Sequence, residues 1–349
     1  MIVYTSRSTG QPKGCMLPKK SIFKRALIQL EQLAVPDYPR AFCPLPLNHV
    51  GAMQGVSAYS LIGAGTVNFR QKLAPSEVGK IVRENDISVL VMFPTMYQLI
   101  CDHPNFDPAD YRDVKCILFA GASIPVPLLD ILAGLGNGNV RTCFGSTETC
   151  VGVLFSRQGL ELEKLAVTVG HTVNNDARLV RLEDEGLCKP GEIGELQVHK
   201  EHFMQAYFNR AQANAEDFTI DGWVRTGDLL EQLPDGDMRF VARISDMFKS
   251  GGYNVYPREI ELELESHPDV VAAAVIGTPD KLYGEVGYAF LQLDGNQALV
   301  EAELRHWYKE RLANYKIPKR YSVVGSIPLL PNGKIDKKPL RNKALEALK

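Results

Sequence analysis

The chain has seven cysteines (Cys15, Cys43, Cys101, Cys116, Cys143, Cys150, Cys188), odd in number and never spaced as a C-x-x-C pair. That argues against a disulfide framework or a zinc site and for reduced thiols. An excess of one charge is also missing. The 39 Lys and Arg face 41 Asp and Glu for a net charge of -2, so there is no basic field to draw nucleic acid and no acidic tail. Long apolar runs are lacking. The best, Val89-Leu90-Val91-Met92-Phe93, stops at Pro94, far short of a membrane span. The start has no basic segment followed by an apolar core, hence no signal-peptide pattern, and a cytoplasmic location is expected. Repeats, low-complexity tracts and the GxxxxGK[ST] loop are absent as well.

What remains is ordinary globular composition, 45% hydrophobic and 23% charged over 349 residues, enough for two or more domains. Apolar runs at 87–93, 114–120 and 140–144 alternate with helix-like segments and end in Gly, Pro or Ser turns. Strands alternating with helices predict a mostly parallel sheet with covered faces. From about residue 168 the pattern changes to strands at 177–182 and 195–199, and Pro234-Asp235-Gly236 reads as a hairpin turn between 229–233 and 238–241. After Arg243 a helix is expected over 257–266, opened by Pro257, then strands at 270–276 and 286–293. A second helix is expected over 300–314, with Leu304, Trp307, Tyr308 and Leu312 packed inward. The fold class expected is an α/β large domain of layered sheets with helices and a small β-barrel-like subdomain, followed by a small α+β domain. The boundaries fall at 1–167, 168–244 and 245–349. Met1-Ile2-Val3-Tyr4 reads as the end of a strand with a glycine-rich turn directly after it, so the chain is expected to lack a natural N-terminal portion.

The segment Tyr4-Thr5-Ser6-Arg7-Ser8-Thr9-Gly10-Gln11-Pro12-Lys13-Gly14 sets hydroxyls, glycines and a lysine after a strand. Backbone N–H groups and hydroxyls of such a loop can donate to phosphate oxygens while the lysine adds charge. The same composition also makes an ordinary polar turn, and by itself the segment leaves both readings open.

This stretch resembles the signature loop of the adenylate-forming (AMP-binding) superfamily, YTSGSTGxPKG, at every fixed position except Arg7, where glycine is usual. Four further motifs follow in family order. Phe144-Gly145-Ser146-Thr147-Glu148 is similar to YGxTE, and Asp221 through Asp228 is similar to DGW-x-x-TGD. Arg243 through Glu259 resembles the block containing KSGGxNVxPxEIE, and Pro331 through Asp336 resembles PxxxxGKID. The resemblance implies an acyl-CoA synthetase that uses ATP and Mg²⁺ to convert a carboxylic acid to an acyl-adenylate and then a thioester of coenzyme A. A carrier protein bearing the same pantetheine thiol is the alternative acceptor. A luciferase-like oxidation has no residue here that supports it, and a catalytically weak nucleotide-binding remnant is the alternative of another class.

Roles follow by resemblance, residue by residue. Thr5, Ser6, Ser8, Thr9, Gly10 and Lys13 would hold phosphates. Gly121, Ala122 and Ser123 would lie along the adenine with Phe144 stacked on it and Gly145 and Ser146 beside it. Thr147 would touch the α-phosphate and Glu148 would hold Mg²⁺, a hard ion suited to carboxylate oxygen. Asp228 and Arg243 would bind the ribose. Lys334 would bridge the carboxylate and the α-phosphate as a mobile point charge. His49 matches a histidine or aromatic beside the acyl carboxylate, although a lone histidine is as readily structural. Lys249, Ser250, Gly251 and Gly252 would flank the thiol tunnel, and 245–349 would rotate about Ser245-Asp246 between the half-reactions. Ser245 and Ala242 stand where the family usually has Asp or Lys and Gly. Arg7 costs on the order of 1–3 kcal/mol if its position needs a left-handed backbone, or else its charge joins the phosphate clamp. The apolar or small residues near His49, Gly121 and Cys150-Val151-Gly152 favour an apolar aliphatic or aromatic acid.

Overall fold

The computed structural model describes residues 1–5, 12–70, 73–294, 301–309, 311–330 and 335–348. Arg7, Ser6, Ser8, Thr9, Gly10 and Lys334 lie outside the described residues. The chain divides into two compact units, one holding most of residues 1–240 and the other 227–229 with 241–349.

The larger unit is organised by a seven-stranded sheet. Its order is Thr66–Phe69, Arg40–Cys43, Val89–Met92, Cys116–Ala120, Val140–Phe144, Leu154–Phe155 and His171–Thr172. The first five strands run parallel and the last two antiparallel. Val-Leu-Val-Met and Cys-Ile-Leu-Phe are apolar without alternation because both faces are covered. One face packs Leu90, Ile117 and Phe119 against the helices Pro75–Glu84, Pro94–Cys101 and Val126–Ala133. The other packs Val89, Val91 and Leu118 against Ala26, Leu33, Val56 and Tyr59. Helices at 75 and 94 open on prolines, whose fixed φ and missing N–H suit the first turn.

A short sheet pairs Ile2–Tyr4 with Gly14–Met16, and Gly14–Met16 with Ala206–Tyr207. It ties the two ends of the 5–13 loop to a segment almost two hundred residues away. A four-stranded sheet in the order Ala177–Val180, Ile193–His199, Trp223–Gln232, Met238–Arg243 forms the β-rich part. The hairpin expected at 234–236 is present, closed by Leu233 N donating to Asp237 O at 2.8 Å, with Gly236 at φ 85. Lys19, Lys20, Ile22, Phe23, Ala58, Leu61 and Ile62 line a shallow, mostly apolar surface groove. Its Phe23 and Leu61 are exposed at 54% and 67%.

The smaller unit carries a five-stranded sheet. Val270–Asp280 and Gly284–Leu293 form its long antiparallel hairpin, and Arg320–Val323 pairs parallel to the second of them. Helix Pro257–Glu265 packs on it through Ile260 and Leu264. The helix expected over 300–314 is Glu301–Lys309. Tyr308 O accepts from both Arg311 N (3.0 Å) and Leu312 N (2.8 Å), so the chain turns off there. Leu304, Tyr308 and Leu312 are nonetheless buried, with Trp307 packed against them. The inward stripe is therefore kept although the last of its residues is no longer helical.

Candidate active site

A parallel sheet places the carboxyl ends of its strands along one edge, and where the strand order reverses direction a crevice opens there. Here the chain runs from Arg40–Cys43 out to Thr66–Phe69 on one side and back to Val89–Met92 on the other. Three of the segments singled out in the sequence leave this edge. His49 follows the first strand, Gly121-Ala122-Ser123 follows Cys116–Ala120, and Gly145-Ser146-Thr147-Glu148 follows Val140–Phe144.

His49 caps a helical segment, its Nδ1 accepting from Gly51 N at 3.0 Å, and its ring meets Phe93 edge-on at 6.2 Å. The chain then makes a π-helical segment, Met53–Ala58, a geometry found mostly as short insertions near functional sites. Gly121 sits at φ 84, and 121–123 are exposed. Phe144 is half-buried with its ring 5.9 Å from that of Phe240.

The 145–152 turn is tightly specified. Thr149 Oγ1 accepts from Ser146 N (2.7 Å) and reaches Val151 O at 2.9 Å, while Val151 N donates to Ser146 O at 3.0 Å. A methyl group at Gly145 would fall 1.2 Å from Val151 O, so only glycine fits. Cys150 and Val151 are both left-handed, at φ 51 and 80. For a β-branched residue such a backbone is strained by about 1–3 kcal/mol and persists only where its surroundings impose it. Thr147 and Glu148 are half-buried at the head of this turn.

Tyr207 joins the first loop to the turn. Its hydroxyl donates to Glu148 Oε1 at 3.2 Å, and Lys13 Nζ lies 4.4 Å above its ring. Lys13 Nζ is also 2.8 Å from Asp217 Oδ2. Thr5, buried, exchanges bonds with Lys13 across the loop base: Thr5 N to Lys13 O at 2.9 Å and Lys13 N to Thr5 Oγ1 at 3.3 Å. Sequence reasoning missed Tyr207 and Asp217. Both belong to segments without a recognisable motif: the three-stranded sheet brings Tyr207 here, and Asp217 ends the helix Ala211–Asp217 that follows it.

Among the described residues no group of three or more His, Cys, Asp or Glu side chains is placed to hold a metal. Glu148, with one oxygen fixed by Tyr207, suits Mg²⁺, which usually takes one or two carboxylates and completes its shell with phosphate oxygens and water.

In the smaller unit, Arg243 Nε lies 2.9 Å from Oδ1 of the buried Asp228. Lys249-Ser250-Gly251-Gly252 forms a hairpin, with Phe248–Ser250 antiparallel to Tyr253–Val255. Gly251 and Gly252, at φ 58 and 87, make the two-residue turn that demands a left-handed backbone twice. A methyl at Gly252 would meet nothing within 4 Å, so among the described residues the conformation and not crowding requires glycine. Close in sequence to Lys334, Leu329 bridges Ile335, Asp336 N donates to Pro328 O at 2.8 Å, and the Asp336 carboxylate caps Lys337–Glu346. The site residues thus gather in two sets. Thr5, Lys13, His49, Gly121 to Ser123 and Phe144 to Glu148 belong to the larger unit, and Asp228, Arg243 and Lys249 to Gly252 to the smaller.

No helix among the described residues is long and apolar enough to cross a membrane. The family model for AMP-binding enzymes matches residues 1–208, and that for the C-terminal domain of AMP-binding enzymes matches 259–334. A feruloyl-CoA synthase from an Amycolatopsis species is 34% identical over 343 residues, covering 98% of this chain and 69% of that protein. The crystal structure of ATP-bound MatB from Rhodopseudomonas palustris superposes with a TM-score of 0.92 at 26% identity, covering 100% of this chain and 68% of that one. O-succinylbenzoate coenzyme A synthetase (MenE) from Bacillus subtilis, in complex with ATP and magnesium, superposes with a TM-score of 0.84 at 31% identity, covering 97% and 69%. The chain spans about two thirds of the length of each of these proteins. With two family models in order and the carboxyl edge of the sheet carrying their motifs, the chain belongs to the AMP-binding enzymes, in the adenylate-forming acyl-CoA ligase family.

Proposed function

We propose that the chain adenylates an apolar aliphatic or aromatic carboxylic acid with ATP and transfers the acyl group to coenzyme A. The observation that carries this is the meeting, at the carboxyl edge of the parallel sheet, of His49, the 121–123 segment and the strained 145–152 turn, with Glu148 tied through Tyr207 to the Lys13 end of the first loop. In the first half-reaction a carboxylate oxygen forms a bond to the α-phosphorus, and the bond to the bridging β-phosphate oxygen breaks, releasing pyrophosphate. Two anions approach each other, so positioning and charge neutralisation carry the catalysis. Glu148 would hold Mg²⁺, which when bound would supply neutralisation of the phosphate charge. Thr147 orients the α-phosphate, and Thr5, Ser6, Ser8, Thr9, Gly10 and Lys13 hold the phosphate tail. For the last role Lys13 exchanges its ion pair with Asp217 for phosphate oxygens. Phe144 stacks on the adenine against Gly121, Ala122 and Ser123, flanked by Gly145 and Ser146, and Asp228 accepts from the ribose hydroxyls with Arg243 as its partner. Lys334 steadies the carboxylate and α-phosphate oxygens, and His49 lies beside the acid.

In the second half-reaction the thiol sulfur attacks the acyl carbon and AMP leaves, with Lys249, Ser250, Gly251 and Gly252 beside the pantetheine arm. The division into 1–167, 168–244 and a mobile 245–349 pivoting at Ser245-Asp246 belongs to the same proposal, as does a cytoplasmic setting. Pyrophosphate release is the test: short- and long-chain fatty acids and hydroxycinnamic acids are offered with ATP and Mg²⁺, with and without coenzyme A. Turnover with at least one such acid, lost in Glu148→Gln, supports the reading, and turnover only when a carrier protein replaces coenzyme A overturns the acceptor.

A further inference from the structure

Arg25 is a fully buried arginine on the helix Lys19–Gln32 that the proposed reaction does not use. Its Nε and Nη2 both donate to the carbonyl oxygen of Gly152, at 3.1 and 2.6 Å. Nη1 lies 2.9 Å from Oδ2 of Asp176, itself buried. The guanidinium faces the rings of Phe203 at 4.9 Å and Phe155 at 5.8 Å. On its far side Asp176 is approached by His202 Nε2 at 3.5 Å and Lys24 Nζ at 4.0 Å, and its own backbone carbonyl accepts from His199 N at 3.0 Å. Desolvating such a pair is costly, and charged pairs of this kind do little for stability beyond what well-packed apolar groups would do. What the pair grips is more informative than the pair itself.

The gripped carbonyl closes the one stretch of the turn where two successive non-glycine residues, Cys150 and Val151, are left-handed. Val151 is anchored on its own amide and carbonyl by Ser146 and Thr149, and its side chain points at the π-helical segment after His49. A methyl placed on Gly55 of that segment would sit 3.2 Å from Val151 Cγ1. Rotation of the 152–153 peptide, which carries this carbonyl, would free the adjoining Val151 backbone to relieve its strain and swing its side chain away from Gly55. The forked guanidinium, held by Asp176, opposes this rotation because it offers two parallel donors to one oxygen in a fixed plane.

We propose that Arg25, braced by Asp176, is a positioning residue for the carboxylic-acid substrate: by fixing the Gly152 carbonyl it aims Val151 at Gly55 and so sets the size of acid the site accepts. The assignment of this wall to the acid rests on the adenylation reading above. Lysine cannot reproduce the fork, and removing both charges leaves no buried ion uncompensated, since Lys24 on the far side reaches solvent, so the informative variants are Arg25→Lys and the double variant Arg25→Met with Asp176→Asn.

Two readouts are taken on the full chain. In pyrophosphate release, KM for ATP stays within about twofold of the parent. The ratio of kcat/KM between a smaller and a larger acid shifts about tenfold, the scale of one methylene in a fitted pocket. In hydrogen exchange, amides of 146–155 exchange faster while those of Lys19–Gln32 keep their protection. Equal losses on every acid with unchanged selectivity, or exchange raised throughout the unit, would overturn the proposal and reduce Arg25 to a core strut. If neither variant melts cooperatively, Gly55→Ala decides, since it narrows the same gap from the other side: selectivity must move toward smaller acids, and no movement refutes the proposal. If the parent releases no pyrophosphate with any acid, the adenylation reading fails, and hydrogen exchange alone judges whether Arg25 positions the turn.

Discussion

Replacing Thr149 by valine removes one oxygen atom and almost no volume, so it isolates what the hydroxyl does. That hydroxyl, 1% exposed as part of its residue, accepts from Ser146 N at 2.7 Å and donates to Val151 O at 2.9 Å. In Thr149→Val a donor and an acceptor in a half-buried turn lose their partner, at about 1–3 kcal/mol for each group left unmade. The sum, about 2–6 kcal/mol, is an upper bound. Once the clasp is gone, Cys150 and Val151 can leave their left-handed wells, recovering about 1–3 kcal/mol of strain. A net loss of about 2 kcal/mol follows, roughly a thirtyfold change in the folding equilibrium by the factor of ten per 1.4 kcal/mol. The two tryptophans make the assay specific, because Trp223 lies in the larger unit and Trp307 in the smaller. Urea unfolding followed by fluorescence in a Trp307→Phe background reports on the unit that contains the turn, which matters because a two-unit chain need not unfold in one step. Activity falls further than stability, on the order of 100-fold, because Thr147 and Glu148 lose their aim and displacements near 1 Å carry such costs. Thr149→Ser keeps the hydroxyl and stays near the parent in both assays. An unchanged urea midpoint together with unchanged pyrophosphate release in Thr149→Val would refute the idea that the hydroxyl holds the strained turn.

Other outcomes are as concrete. Burial pushes the thiols of Cys43 and Cys101 up to about 11 and those of Cys116, Cys143 and Cys150 up to about 12. Because the thiolate is the nucleophile, native protein at pH 7.5 alkylates slowly with N-ethylmaleimide, the rate climbing as pH rises toward 9. Mass mapping is expected to find label first at the half-exposed Cys101 and Cys188, and rapid labelling of Cys116 or Cys143 would contradict the packing. Phe23→Glu with Leu61→Lys places opposite charges on the exposed groove and raises the soluble fraction without moving the melting midpoint by more than a few degrees, read by sedimentation and calorimetry. Arg7→Gly raises pyrophosphate release, and an equal or lower rate would mean that the arginine's charge serves the phosphate clamp.

Much of this was legible in the sequence because motif and topology coincide. Continuous apolar runs ending in Gly or Pro marked three of the five parallel strands, and a parallel strand places whatever follows it at a known edge, so Gly121 and Thr147-Glu148 were located together with their strands; Arg40–Cys43 and Thr66–Phe69, short and partly polar, were not expected. The Pro234-Asp235-Gly236 hairpin and the Pro257 helix start were equally local, fixed by backbone preferences of single residues. The contacts that were not legible join segments far apart in the chain. Tyr207 reaches Glu148 across 59 residues, Lys13 meets Asp217 across 204, and Arg25 grips Gly152 across 127. A buried arginine on a helix that otherwise reads as amphipathic carries no periodicity signal, and a left-handed valine carries no composition signal at all. The helix expected to run to 314 ends at Lys309 for a related reason. The apolar stripe continues through Leu312, but packing is satisfied by a turn once Tyr308 O has taken two donors.

The central claim is an acyl-adenylate made at the edge of this sheet and passed to a thiol. It is tested most directly by incubating the protein with ATP, Mg²⁺ and an accepted acid without coenzyme A, then adding coenzyme A and following both products by mass spectrometry. The account requires enzyme-bound acyl-AMP in the first stage and its stoichiometric conversion to acyl-CoA and AMP in the second, with Lys334→Ala forming no acyl-AMP but still converting supplied acyl-AMP to acyl-CoA. Acyl-CoA formed with ADP and phosphate instead of AMP and pyrophosphate, or no acyl-AMP from any acid in the panel, would contradict it.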